Sequence, residues 1–397
     1  MTNVAYQSSC PSCSTEFTYD AAHMGSISEC NSCGSHITLP AAELPKGYDV
    51  GGFVIEELLG EGSMGLVYKA LQKSMNRTVA LKIIKPEITA NEENITDFFR
   101  EIQLLASFNH PNVVLAIEAG TQGNLYFLAM QYIEGQALDE PILEGQIFSE
   151  EETLSYCSSV AEALQFAWDE RQMIHCDIKP ANIMLDKKKS PKLMDLGISK
   201  CSHEQSAGGV IVGTPFFMSP EQAQGKKLDF RSDIFSLGAT MYNMLTGQYP
   251  FPGVDPTDPM QVIEAVKNDP LNMDLLKENN VSKATAELIK KMCTKSYVLR
   301  HKSWDDCIEQ FQASFQKLTQ PQSAPKKAGV KLKGAPVVRR RRKQKKSIVP
   351  LVLLVLLGVG FYCAYKYDAL GLIKKEVDTW KADKDAPQKN IAETAEP

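Results

Sequence analysis

Two stretches, IHCDIKPANIML at 174–185 and KLMDLGISK at 192–200, decide how this chain of 397 residues is read. The spacing Asp-x-Lys-Pro-x-Asn sets an acid (Asp177), a cation (Lys179) and an oxygen donor (Asn182) on one loop. A second acid, Asp195, follows thirteen residues after Asn182. Hard oxygen ligands such as Asn182 and Asp195 suit magnesium bridging a polyphosphate. That assignment leaves Asp177 free to accept a hydroxyl proton.

Upstream, FVIEELLGEGSMGLVYKA at 53–70 places Gly60, Gly62 and Gly65 in a G-x-G-x-x-G-x-V pattern between two apolar alternating runs. Glycines there let backbone N–H groups approach phosphates without an obstructing Cβ. Alone the pattern is weak, because dinucleotide folds share it at the opening of a helix. Here β-branched and aromatic residues follow Gly65, so a strand–turn–strand flap is expected. In TVALKII (78–84), Lys82 stands among Val79, Leu81, Ile83 and Ile84. A buried lysine requires a carboxylate partner. Glu101 of the helical DFFREIQLLASF (97–108) shares a face with Phe98, Leu104, Leu105 and Phe108, and is the expected partner.

These motifs, with GTPFFMSPE at 213–221, DIFSLGATMYNMLTGQYPF at 233–251 and Arg300, resemble the eukaryotic-type serine/threonine protein kinases that bacteria anchor in their membranes. The resemblance runs from about Tyr48 to about Phe315. It implies an α+β, bilobal kinase fold that binds ATP with magnesium or manganese and phosphorylates protein substrates. It further implies that the loop Gly60, Glu61, Gly62, Ser63, Met64, Gly65 covers the phosphates. Lys82, held by Glu101, grips the α- and β-phosphates, and Asn182 and Asp195 hold the metal. Asp177 is the catalytic base, and Lys179 steadies the γ-phosphate. Val67, Ala80 and Met184 sandwich adenine. Met130 is the gatekeeper, and the backbone at Gln131 and Ile133 bonds the adenine edge. Asp233 and the Glu221–Arg300 pair are structural braces.

Four departures stand out: Cys176 for the HRD arginine, Leu196 for the DFG phenylalanine, Ser219 for the APE alanine, and Gln131 for a hinge glutamate. None removes a phosphate-, metal- or proton-handling group. They bear on regulation, because Cys176 cannot pair with a phosphorylated activation loop as arginine does.

The first forty residues carry CPSC and CNSCG, a Cys-x2-Cys-x16-Cys-x2-Cys spacing formed by Cys10, Cys13, Cys30 and Cys33. Four thiolates on two knuckles suit a closed, structural zinc, as in a zinc ribbon at 1–40. His23 and His36 are expected on the surface, and loss of the metal is expected to leave the kinase domain folded. The domain itself is expected at 48–316. A Pro/Lys/Arg-rich linker occupies 317–347. IVPLVLLVLLGVGFYCAY at 348–365 is an uncharged apolar run long enough for a transmembrane helix, flanked by Arg339–Lys346 and by Tyr362, Tyr365 and Tyr367. The basic flank is expected to stay cytoplasmic and touch anionic lipid, leaving 366–397 as an extracytoplasmic tail.

Composition agrees with a soluble body bearing a special tail. The content is 43% hydrophobic and 23% charged, which excludes disordered, collagen-like and polytopic membrane classes. Residues 326–346 hold eleven Lys/Arg and no acid, while the whole chain carries −5, so the body is acidic. That asymmetry argues against a general nucleic-acid binder. MTNVAYQSS lacks a basic start and an apolar run, so no secretory signal is expected. The scattered cysteines read as reduced thiols. Two rival readings remain: an ATP-binding pseudokinase scaffold, and a nucleic-acid module built from the ribbon and basic linker. The oligomeric state, homodimer included, is not legible.

Overall fold

Strand alternation builds the small lobe. The computed structural model describes residues 5–20, 23–24, 26–39, 43–62, 64–85, 95–96, 99–100, 102, 108–196, 215–251 and 253–319. Ser63, Glu101, residues 197–214, residues 320–347 of the basic linker, the apolar run 348–365 and the tail lie outside them. Two short hairpins open the chain: β1 (Ala5–Ser9) with β2 (Glu16–Asp20), and β3 (Ile27–Glu29) with β4 (His36–Thr38). A six-stranded antiparallel sheet follows. It comprises β5 (Asp49–Val50), β6 (Phe53–Glu61), β7 (Gly65–Gln72), β8 (Arg77–Ile84), β9 (Ala116–Gln122) and β10 (Leu125–Gln131), in the order β5-β6-β7-β8-β10-β9. The flap expected at 53–70 is the β6–β7 hairpin.

Register assigns the two faces of this sheet. Val67 pairs with Lys82 and Lys69 with Ala80 across β7–β8, and Lys82 pairs with Leu128 and Ala80 with Met130 across β8–β10. One face therefore carries Val67, Ala80, Lys82, Leu128 and Met130. The other carries Leu66, Tyr68, Ala70, Val79, Leu81, Ile83, Phe127 and Ala129, all buried. Side chains of the N-terminal hairpins and the segment after them (Tyr19, Met24, Leu39 and Leu44) join that second face in one hydrophobic cluster. The Tyr68 hydroxyl accepts the Leu44 N–H at 2.9 Å. The hairpins thus share a core with the small lobe, where the sequence suggested a separable module.

The large lobe starts with β11 (Gly135–Ala137), which pairs with β12 (Ile183–Asp186); β12 in turn pairs with β13 (Pro191–Leu193). Its helices are α1 (Asp139–Leu143), α2 (Glu150–Arg171), α3 (Pro220–Ala223), α4 (Phe230–Thr246), α5 (Pro259–Asn268), α6 (Met273–Glu278), α7 (Lys283–Met292) and α8 (Trp304–Thr319). Ser149 and Glu152 form a reciprocal capping box that starts α2, and Gln172, at φ 52°, stops it. α4 is apolar on nearly every side because α2, α7 and neighbouring segments bury it all round. Gly238 admits the crossing of α7, since a Cβ there would meet Met292 Cβ at 2.7 Å. α8 continues to Thr319, three residues beyond the expected domain end at 316, and Phe315 and Leu318 near its end still pack against the large-lobe core. Among the described residues no helix is long and apolar enough to cross a membrane.

Candidate active site

Lys82 reaches the site from the middle of β8 and is 4% exposed. A buried ammonium needs an anion, and its partner here is Asp195, at 3.0 Å from Nζ to Oδ1. The partner expected from sequence, Glu101, lies outside the described residues. Burial alone would raise the Asp195 carboxyl, but the Lys82 charge outweighs it and holds the group below the usual carboxylate range. Asp195 has φ 53°, a left-handed conformation that non-glycine residues seldom adopt.

Asp177, Lys179 and Asn182 converge on one another. Lys179 Nζ stands 2.8 Å from Asp177 Oδ2, and Asn182 Nδ2 donates to that oxygen at 2.9 Å and to the Asp177 carbonyl at 2.7 Å. The Asp177 side chain keeps 48% of its surface exposed, so an incoming hydroxyl can reach it. With Nδ2 doubly engaged, Asn182 offers its Oδ1 to a cation. Asp195 is tied to the same place through the adjoining backbone: the Met194 N–H donates to the Asn182 carbonyl at 2.9 Å. An amide oxygen and a carboxylate form the hard donor set that magnesium takes.

The loop's support is a chain of buried polar contacts. His175, fully buried, accepts the Asp177 N–H on Nδ1 at 3.3 Å, so its Nε2 carries the proton and donates to the Met194 carbonyl at 2.8 Å. Asp233 of α4 accepts the N–H groups of His175 and Cys176 at 2.8 and 2.9 Å. Burial raises the Asp233 carboxyl to about 6 despite those bonds. Glu221 and Arg300 form a bidentate pair at 2.6 and 2.9 Å, nearly sealed from solvent.

Across the cleft, Val67, Ala80 and Met130 share the Lys82 face and are half-buried, as is Met184 on β12. The Gln131 N–H donates to the Leu115 carbonyl at 2.9 Å, and Ile133 is buried just beyond β10. In the flap, a Cβ on Gly60 would meet nothing within 4 Å, so open space faces that turn. Gly65 is different: a Cβ there would lie 2.0 Å from the Ile83 carbonyl, so its role is close approach of β8. Met64 packs half-buried against the core that includes Ile84, and Glu61 pairs with Lys85 at 2.6 Å.

Two residues escaped the sequence reading of roles. Ser219 was read only as a departure, yet it caps α3 in a reciprocal box with Gln222, whose Nε2 donates to the Cys176 carbonyl at 2.7 Å. The Ser-x-x-Gln spacing of a capping box was the available signal.

The four N-terminal cysteines also converge. Cys10 and Cys33 sulfurs are 3.6 Å apart, as are those of Cys13 and Cys30, and all four lie within 4.8 Å of one another. A tetrahedron with ~2.3 Å metal–sulfur bonds has edges of about 3.8 Å, so the arrangement fits one ion. Ser14 (φ 60°) and Gly34 (φ 70°) close equivalent turns, each N–H donating at 2.8 Å to the carbonyl of the first cysteine in its knuckle. Hydrogen bonding to Ser35 lowers the Cys33 thiol to about 6, while burial pushes Cys10 up to about 11. His23 and His36 are exposed and stand apart from the cluster.

Comparison with known proteins agrees with this geometry. A probable serine/threonine-protein kinase of Clostridium perfringens is 34% identical over 255 residues, covering 64% of this chain and 36% of that protein. The serine/threonine-protein kinase PknB of Mycolicibacterium smegmatis is 31% identical over 227 residues, covering 55% and 36%. The chain therefore spans about a third of the length of these relatives. Among solved structures, the Mycobacterium tuberculosis PknI kinase domain superposes with a TM-score of 0.55 at 21% identity, covering 68% of this chain and all of that one, a likeness of fold. Residues 53–310 match the family described as Protein kinase domain. That match takes in both lobes and every described site residue of the cleft, and the chain belongs to the protein kinase domain family.

Proposed function

We propose that this chain is an active, ATP-dependent serine/threonine protein kinase that phosphorylates protein substrates at a membrane. The observation that carries the reading is the Asp177 carboxylate, gripped by Lys179 and Asn182 yet open to solvent, beside the Lys82–Asp195 pair. Asp177 accepts the proton of a Ser or Thr hydroxyl while the hydroxyl oxygen bonds to the γ-phosphorus. The bond from that phosphorus to the β-phosphate oxygen breaks, and ADP leaves with the electron pair. Lys179 sets a cation beside the transfer. Lys82 grips the α- and β-phosphates, with Asp195 as its counter-ion. Magnesium or manganese held by Asn182 and Asp195 supplies neutralising charge on the phosphates. The loop Gly60–Gly65, with Glu61, Ser63 and Met64, covers the phosphates through its backbone. Val67, Ala80 and Met130 on the sheet face, with Met184 opposite, hold adenine, and the Gln131 and Ile133 backbone reads its edge. Most of the catalysis is positioning.

The intact Lys82, Asp177, Asn182 and Asp195 favour turnover over a pseudokinase scaffold. The cluster of Cys10, Cys13, Cys30 and Cys33 supports a structural zinc ribbon at 1–40, because four thiolates at tetrahedral spacing leave no open position. The apolar run 348–365 and its basic flank support a single-pass membrane anchor with the kinase on the cytoplasmic side and 366–397 outside. The test of function is incubation of the purified chain with labelled ATP, Mg²⁺ and a generic protein acceptor, followed by phosphoamino-acid analysis. Phosphoserine and phosphothreonine are expected. No transfer, or phosphotyrosine alone, overturns the reading.

A further inference from the structure

The peptide leading into Asp177 is held in an unusual way. Cys176 adopts φ 68°, a left-handed conformation that costs any residue with a Cβ and persists only where neighbours enforce it. Its N–H is fixed by Asp233 Oδ1 at 2.9 Å. Its carbonyl is fixed from the opposite side by Gln222 Nε2 at 2.7 Å. The same peptide plane carries the Asp177 N–H, which the His175 ring accepts. Both edges of that plane are therefore pinned, and its tilt sets the direction of the Asp177 Cα–Cβ bond.

Gln222 is itself oriented without ambiguity. Its Oε1 accepts the Ser219 N–H at 2.9 Å, which leaves its Nε2 to donate to the Cys176 carbonyl. The Ser219 hydroxyl returns the contact by accepting the Gln222 N–H at 3.3 Å. Ser219 is fully buried and Gln222 is 9% exposed. Gln222 stands next to Glu221, which Arg300 locks to the large lobe. The Ser219 hydroxyl caps the first turn of α3, while the Ser219 backbone N–H aims the Gln222 amide at the loop.

We propose that Gln222 is a positioning residue for the catalytic base. Through the Cys176 carbonyl it sets the approach of Asp177 to the acceptor hydroxyl, and it couples that geometry to the segment Pro215–Ala223. The inference rests on the reading of Asp177 as base. Among the described residues Gln222 hydrogen-bonds Ser219 and Cys176 rather than Lys82, Asn182 or Asp195, so its loss should act on transfer and spare ATP binding. Misplacement of a reacting group by about 1 Å costs on the order of a hundredfold in rate.

The test uses the full chain with Gln222→Glu, which puts an acceptor against the carbonyl, and Gln222→Met, which keeps the length and removes the donor. The rate of transfer is measured per molecule competent to bind a fluorescent ATP analogue, alongside KM for ATP. A merely structural role lowers the competent fraction and leaves the rate per competent molecule unchanged. The expected result is a fall of roughly ten- to a hundredfold in kcat per competent molecule, with KM for ATP within about twofold. Rates within twofold of the parent in both variants, with Asp177→Asn inactive, overturn the proposal and leave the base reading standing. An active Asp177→Asn removes the base reading and the proposal with it. If neither Gln222 variant binds nucleotide, Gln222→Asn decides by the same rate. It keeps the amide and shortens its reach to the Cys176 carbonyl: a loss of roughly threefold or more supports the proposal, and an unchanged rate overturns it.

Discussion

Removing the proposed zinc from the N-terminal cysteines should destabilise the small lobe. The perturbation is Cys10→Ser with Cys13→Ser, or chelation. Residues 5–39 and the Leu44 segment after them bury little core of their own beyond Cys10, Cys30 and Ile37, so without an ion they cannot offset the ordering of their backbone. What they detach from is the sheet face of Tyr68, Leu81 and Phe53, whose exposure is now at most 1%. Four side chains leave that face: Tyr19 at 9%, Met24 at 1%, Leu39 at 5% and Leu44 at 5% exposure. At ~1.5–3 kcal/mol each, their burial amounts to roughly 6–12 kcal/mol as an upper bound. The Tyr68–Leu44 hydrogen bond adds about 1 kcal/mol. Regained chain entropy offsets part of this, and a net loss of a few kcal/mol lowers Tm by roughly 5–15 °C, at about 2–4 °C per kcal/mol. Thermal melting with metal content measured in parallel is the assay. Met24→Ala with Leu44→Ala, which spare the cysteines, should reproduce part of the loss. A Tm unchanged within about 1 °C after verified metal removal would refute the shared core.

Arg300→Ala should cost about 3–5 kcal/mol, because it strands buried Glu221 and three backbone carbonyls. Burial raises the Glu221 carboxyl but Arg300 outweighs it and holds it below its ordinary 4.5. The unfolded chain then binds more protons at low pH, so this stabilisation is present above about 4.5 and fades as pH falls. Urea titrations of parent and variant should converge in acid, and a gap independent of pH would contradict the assignment. Burial lowers Lys295 from 10.5 to about 8; it donates to the Ala265 and Val266 carbonyls and sits 4.0 Å over the Phe251 ring. Between those values the unfolded chain holds the extra proton, so stability relative to Lys295→Met should rise from pH 8 towards 10.5; a flat difference excludes the shift. Neutralising the seven basic residues of 339–346 should loosen membrane orientation, and recovery of the intact chain in the soluble fraction would defeat the anchor.

The cleft was legible because its chemistry sits in short, ordered motifs. Alternation around Lys82 placed it in a strand; Val67, Ala80 and Met130 came from the kinase resemblance, and the strand register sets them on the Lys82 face. Gly65 was legible as a requirement but not in its cause: phosphate approach and close packing of the Ile83 carbonyl demand the same residue. The dock of the N-terminal hairpins was hidden, because Tyr19, Met24, Leu39 and Leu44 are too few and too irregularly spaced to announce a face. The Gln222–Cys176 contact joins positions 46 apart, and no local pattern encodes such a pairing. The domain end expected at 316 falls inside α8, because Leu318 near the helix end still packs against the core.

The central claim is that Asp177 is the base of a working kinase. Single-turnover transfer from labelled ATP should be compared between the parent chain and Asp177→Asn, with ATP affinity measured on the same samples. The carboxylate contacts the acceptor and not the nucleotide, so the affinity should stay within about twofold. The transfer rate should fall by roughly 10²–10⁴, the range for loss of a general base. Transfer by Asp177→Asn at the parent rate would contradict the account.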